Sequence, residues 1–215
     1  MAHILTVNIA SMNEQDYRQM YALTDEVRKR RADRYLRQED RVRCVVAGVL
    51  LRFAVAKVFG TATLEFEHTP QGKPMLKNHP EFHFNISHSG QWVVIAYDTH
   101  PVGIDVEQIC WDSGKENIAR RFFTSDEQEY VFGQPQQGMA ERFYEVWTAK
   151  EGYLKYLGVG LQKGLDSFSV LQLAVPERHY SRLDGGYAMT VWAKGKDHAI
   201  KELSTELLLL SVLSK

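Results

Sequence analysis

Apolar and polar positions change period several times along this chain, and the changes mark out its elements. "ILTVNI" (residues 4–9) is short and rich in β-branched residues, which predicts an opening strand. Residues 13–59 keep a helical period, and 40–59, "DRVRCVVAGVLLRFAVAKVF", predict a long apolar helix that Gly60 stops. "TPQGKP" (69–74) is punctuated by Pro and Gly and predicts a loop. Three β-rich pieces follow, "FHFNISHS", "WVVIAYD" and "VGIDVEQI", separated by "GQ" and "THP". That spacing suits an antiparallel meander.

A second helical block comes next. Thr124 with Glu127 three residues on is a capping-box pattern that starts a helix. "GMAERFYEVWTAKEGYLKYLG" (138–158) predicts one amphipathic helix closed by Gly158. "FSVLQLAV" (168–175) and "YAMTVWAK" (187–194) predict strands, and residues 198–213 fit either a strand "ELLLLSVL" or a helix continuing from "AIKEL". The order strand, helices, strands, then helices and strands again predicts an α+β fold of two similar halves, about 1–103 and 104–215. Without a Ser-, Gly- or Pro-rich linker between them, the halves are expected to form a single compact unit.

Charge adds one asymmetry. The formal net charge of -1 excludes a strongly basic nucleic-acid binder by bulk charge. Yet residues 26–43 hold eight basic residues (Arg28, Lys29, Arg30, Arg31, Arg34, Arg37, Arg41, Arg43) against four acids. That density points either to an anionic ligand near this segment or to a solvated helix face. Cys44 and Cys110 follow no metal or redox spacing. "MAHILTVNIA" shows no basic stretch leading into a long apolar run, and "LLLLSVL" is too short to span a bilayer, so a cytoplasmic, soluble protein is expected.

Four stretches carry candidate chemistry. In "GIDVE", Asp105 and Glu107 share one face of a strand while Val106 points to the other. Two carboxylates so placed repel unless a cation or proton sits between them, and hard oxygen donors suit Mg²⁺; the plain alternative is an exposed acidic pair. In "WTAKEGYLK", Trp147, Glu151 and Lys155 fall at i, i+4 and i+8 on one helical stripe. A third carboxylate with a Lys one turn on fits a metal-phosphate site, unless the two are an ordinary surface pair. In "FNISHSG", Ser87 and His88 point to opposite strand faces, which argues against a nucleophile and its base. His83 and His88 likewise face apart, which argues against a zinc pair. Lys73 in "QGKP" is held between Gly and Pro on a tight loop, which gives it a fixed approach to a phosphate.

Taken in order, "QGKP", "FNISHSG", "WVVIAY", "PVGIDVE", "RFFTSDE", "WTAKEGYLKYLGVGL" and "LDSFSV" resemble the 4'-phosphopantetheinyl transferases of the surfactin-synthetase type, over roughly residues 25–170. The resemblance implies transfer of the phosphopantetheine arm of coenzyme A to a serine of an apo acyl or peptidyl carrier protein, with release of 3',5'-ADP. It implies Mg²⁺ held by Asp105, Glu107 and Glu151, and Lys155 on the coenzyme A diphosphate. Lys73 would lie along the nucleotide. Ser87 and His88 would hold the ribose 3'-phosphate, with Arg28, Arg31 and Arg43 supplying positive charge. Glu151 is the candidate acceptor of the serine proton. Two halves about a pseudo-twofold axis, acting as a monomer with no nucleic acid or membrane partner, are also implied. Similar proteins often carry a hydroxyl residue where Cys44 stands, and a thiol is a weaker hydrogen-bonding group. A rival reading keeps the same carboxylates in another Mg-dependent phosphoryl or nucleotidyl transferase, which would need no apo carrier protein. A second rival, a binder gripping an acidic partner through its basic segment, leaves Asp105, Glu107 and Glu151 unexplained.

Overall fold

A computed structural model describes residues 1–160 and 163–213. The α+β expectation is borne out. Strand β1 (Ala2–Asn8) opens the chain, and helices α1 (Glu14–Ala22), α2 (Glu26–Asp33) and α3 (Gln38–Phe59) follow. The long apolar helix is therefore present, and Gly60 ends it in the left-handed region at φ 71°. A small ribbon of β2 (Phe66–His68) and β3 (Pro74–Leu76) carries the "TPQGKP" loop. Then come β4 (His83–Ser89), β5 (Trp92–Asp98) and β6 (Gly103–Gln108). Helices α4 (Ser113–Phe122), α5 (Ser125–Phe132) and α6 (Met139–Leu157) precede β7 (Glu177–Leu183), β8 (Tyr187–Ala193), β9 (His198–Leu203) and α7 (Thr205–Leu213).

Two sheets form the centre, one in the order β4-β5-β1-β9 and one in the order β6-β8-β7. They pack face to face through Ile4, Trp92, Val94, Ile104, Val106, Met189 and Val191. The outer face of the first sheet, with Leu5, Val7, Val93 and Ile95, packs on α3. The outer face of the second meets α6 and the helices beside it through Ala188, Trp192, Phe143 and Val146. Burial on both faces explains why β5 and β8 are apolar but for Asp98 and Thr190, with every residue buried.

Three sequence expectations need correction, and one strand was not foreseen. The meander stops after one hairpin: β4 and β5 pair around Gly90 and Gln91, but β6 pairs with β8. The reason is that β5 already has β4 on one edge and β1 on the other, so it has no edge left for β6. "FSVLQLAV" is not a strand. Its backbone and the turn before it are taken by two buried side chains: Lys150 Nζ donates to Leu165 O and Phe168 O at 2.6 Å each, and Glu127 Oε1 accepts from Val170 N–H at 2.8 Å. The polar stretch "ERHYSRL" is β7, an edge strand whose alternation is hidden because all but one of its residues are half-buried. Residues 198–213 take neither reading: "HAIKEL" is the strand, lying parallel to β1, and "TELLLLSVL" is the helix. The Ser204 hydroxyl accepts from Leu207 N–H at 3.0 Å and starts that helix.

Lys150 and Glu127 meet at 2.7 Å with neither side chain exposed. Glu127 also accepts from Thr124 N–H, the capping box foreseen in the sequence. Among the described residues, no helix is long and apolar enough to cross a membrane. Breaking a buried pair by removing one partner costs about 3–5 kcal/mol. Lys150→Met is therefore expected to lower the Tm by about 2–4 °C for each kcal/mol lost, measured by thermal denaturation. A loss under about 1 kcal/mol would show that water reaches Glu127.

Candidate active site

A cavity of about 670 Å³ opens where α2, α3, β4, β6 and α6 converge. Two glycines let these elements approach. A Cβ on Gly103 of β6 would collide with the Gly152 carbonyl and the Tyr156 backbone of α6, so only glycine lets the strand lie this close to the helix. Gly48 of α3 likewise leaves room for the Arg28 side chain, whose Nη1 donates to Cys44 O at 3.3 Å. As the strand period requires, Val106 enters the core between the sheets while Asp105 and Glu107 line the cavity. Trp147, Glu151 and Lys155 line it from α6, so the i, i+4, i+8 stripe is borne out.

The tightest contacts surround Asp105. Lys155 Nζ stands 2.6 Å from Asp105 Oδ1, and Ser87 Oγ donates to the same oxygen at 2.9 Å. Lys155 also reaches Ser87 Oγ at 3.2 Å. Asp105 Oδ2 is buried with no hydrogen-bond partner. Ser89 Oγ donates to Glu107 Oε2 at 2.8 Å. Burial, and then repulsion from Asp105, push Glu107 up to about 7. Glu151 is raised for the same two reasons, with Lys155 opposing. Three carboxylates thus gather near one lysine ammonium, and two of them are raised by burial and by the Asp105 charge.

The other expected residues divide. Arg28, Arg31, Ser87 and His88 line this cavity. His88 reaches solvent, yet the surrounding walls, and after them the Arg43 cation, hold its imidazole below the usual range. Arg43 itself lines a separate cavity, with Nη1 donating to Gly90 O at 2.7 Å and Nη2 to Asp40 at 2.6 Å. Lys73 lines two smaller adjoining cavities, and its ammonium donates to Lys155 O at 2.6 Å and to Val102 O at 3.3 Å. Burial lowers it to about 8. Cys44 lines the main cavity, its thiol raised by burial. Asn85 and Ser89 were missed. Their signal was the polar residue at every second position, Asn85, Ser87 and Ser89, in a strand otherwise carrying Phe84 and Ile86.

Residues 101–203 match the 4'-phosphopantetheinyl transferase superfamily, and residues 11–100 match the N-terminal region of 4'-phosphopantetheinyl transferases. A 4'-phosphopantetheinyl transferase of Bacillus subtilis is 39% identical over 162 residues, 74% of this chain and 70% of that protein. The 4'-phosphopantetheinyl transferase Sfp of Bacillus subtilis strain 168 is 33% identical over 199 residues, 86% of this chain and 88% of its own length. The chain belongs to the 4'-phosphopantetheinyl transferase family. The transferase gsp of Aneurinibacillus migulanus is 36% identical over 137 residues, 63% of this chain and 56% of that protein. Coenzyme A is the co-substrate of this family.

Whether a divalent cation suits this transferase is tested by the donor set. Among the described residues, no three His, Cys, Asp or Glu side chains are grouped so as to hold a metal ion, and the Lys155 ammonium stands at Asp105 instead. The chemistry nevertheless fits: hard carboxylate oxygens, one of them buried without a partner, and two carboxyls raised by burial and by the Asp105 charge, an effect a bound cation would oppose. The folded protein holds the Glu107 proton more tightly than the unfolded chain does, so stability falls as pH rises from 4.5 through about 7. In EDTA, the Tm of the unaltered protein is expected to drop from about pH 5 to about pH 8 by more than that of Glu107→Gln. Parallel curves in a thermal-shift titration would remove the strain from Glu107.

Proposed function

We propose that this transferase moves the 4'-phosphopantetheine arm of coenzyme A onto a serine of an apo acyl or peptidyl carrier protein. The observation that carries the reading is the convergence of Asp105, Glu107, Glu151 and Lys155 on one cavity that Arg28 and Arg31 of α2 also line. That charge layout suits a diphosphate at the acidic end, through a metal, and a terminal phosphate at the basic end. Asp105, Glu107 and Glu151 would hold Mg²⁺, which when bound neutralises the diphosphate oxygens. Lys155 supplies a further positive charge there, and Arg28, Arg31 and His88 face the 3'-phosphate. Ser87, Arg43 and Lys73 also make hydrogen bonds to protein partners.

The carrier serine oxygen attacks the β-phosphorus, a new serine O–P bond forms, and the bridging P–O bond breaks to release 3',5'-ADP. Glu151, raised above an ordinary carboxyl, receives the serine proton directly or through water. The enzyme contributes position and charge, and the nucleophile comes with the partner. The reading carries with it a monomer at work in the cytoplasm, without nucleic acid or membrane partners. The two halves, about 1–103 and 104–215, would interlock, since β9 returns to the sheet of β1.

Intact mass of a panel of apo carrier proteins, after incubation with this protein, coenzyme A and Mg²⁺, tests the reaction. The expected result is a gain of one phosphopantetheine arm, abolished by EDTA and slowed at least ~1000-fold in Asp105→Ala without loss of the fold. The absence of both mass gain and coenzyme A binding would refute it. Reversing charge with Arg31→Glu is expected to weaken coenzyme A about tenfold or more while sparing dephospho-coenzyme A, measured by calorimetry. An equal loss for both ligands would move Arg31 away from the 3'-phosphate.

A further inference from the structure

We infer that Ser87 and Ser89 are positioning residues, each holding one carboxylate of the Asp105–Glu107 pair in the orientation a divalent cation requires. The inference rests on the magnesium reading above and assigns the serines a task that reading leaves open. The strand period places both hydroxyls on the face of β4 that looks at β6, two residues apart like the two acids they meet. Each serine has a single hydroxyl hydrogen. Ser87 gives its hydrogen to Asp105 Oδ1 at 2.9 Å and accepts from Val106 N–H at 3.3 Å and from Lys155 at 3.2 Å. Ser89 gives its hydrogen to Glu107 Oε2 at 2.8 Å and accepts from Gln108 N–H at 3.2 Å.

A backbone N–H on the hydroxyl oxygen fixes where the hydrogen points, so each serine is a one-way donor aimed at a carboxylate. Tying one oxygen directs the other: Asp105 Oδ2, buried and unpartnered, is the atom left to coordinate. Ser87 then has no hydrogen for a phosphate, and the phosphate role in "SHS" falls to His88, which faces the other way. Hydrogen-bond partners that orient a metal-ligating side chain typically change metal affinity by about 10–100-fold. Had the hydroxyls served only to satisfy the β6 amides, their loss would lower stability and leave metal affinity alone.

The test is Mn²⁺ titrated into the full-length protein holding coenzyme A, with free Mn²⁺ read by electron paramagnetic resonance, beside coenzyme A affinity in EDTA. Ser89→Ala is expected to weaken Mn²⁺ about tenfold and leave coenzyme A affinity in EDTA unchanged. Ser89→Thr and Ser89→Val, nearly equal in shape, separate the hydroxyl from packing: the Thr variant should bind Mn²⁺ as the unaltered protein does, the Val variant as weakly as Ala. If Ala and Val bind Mn²⁺ normally while Asp105→Ala loses it, the serine role is overturned and the magnesium reading survives. Unaltered protein and Asp105→Ala binding Mn²⁺ alike would overturn both. A matching loss of coenzyme A affinity in EDTA for Ser89→Ala would place the hydroxyl on the nucleotide and overturn the inference.

Discussion

The cleft depends on how β4 meets β6. The two strands belong to different sheets and share no backbone ladder. In its place, Asn85 Oδ1 accepts from Ile104 N–H at 2.9 Å, Ser87 Oγ from Val106 N–H, and Ser89 Oγ from Gln108 N–H. An unpaired sheet edge would otherwise expose these amides or recruit another strand. Short polar side chains satisfy them and keep a side chain's length between the backbones. The same hydroxyls can then reach past the backbone to Asp105 and Glu107. A regular ladder would have closed the space in which these acids are aimed.

Helix α6 shows two ways of managing buried charge in consecutive residues. Lys150 lies wholly inside, matched to Glu127 and to two loop carbonyls. Its neighbour Glu151, rotated about 100° around the helix, points into the cavity and remains short of cations. The first arrangement is complete and holds residues 165–170 against the helix. The second is incomplete, and the raised carboxyls record the cost. Charge left unmatched in a cleft is available to a ligand, and this difference separates Lys150 from Glu151, the residue proposed to meet the metal and the serine proton.

The same distinction accounts for the cations. Arg43 and Lys73 read as phosphate contacts from their charge and, for Lys73, its loop. In the folded chain Arg43 holds the Gly90 carbonyl at the β4–β5 turn, and Lys73 caps carbonyls at the end of α6. Arg28 keeps a place on the cavity wall because Gly48 lets its side chain lie across α3.

Period and capping by themselves determined the helices from Gln38 to Phe59 and from Met139 to Leu157, the apolar strands β5 and β8, and the sharing of one face by Asp105 and Glu107. These are local properties, set by side-chain direction within one element. Strand partnership was not legible, because nothing within "VGIDVEQI" states that both edges of β5 are already taken. Nor was the coil at "FSVLQLAV", whose own pattern favours a strand until Lys150 and Glu127 claim its backbone from elsewhere in the chain. For the site, the residue types and their faces were readable. Which hydroxyl serves which acid, and which cations are already engaged, was decided only when β4, β6 and α6 came together, because hydrogen-bond partnership depends on distances that no single element contains.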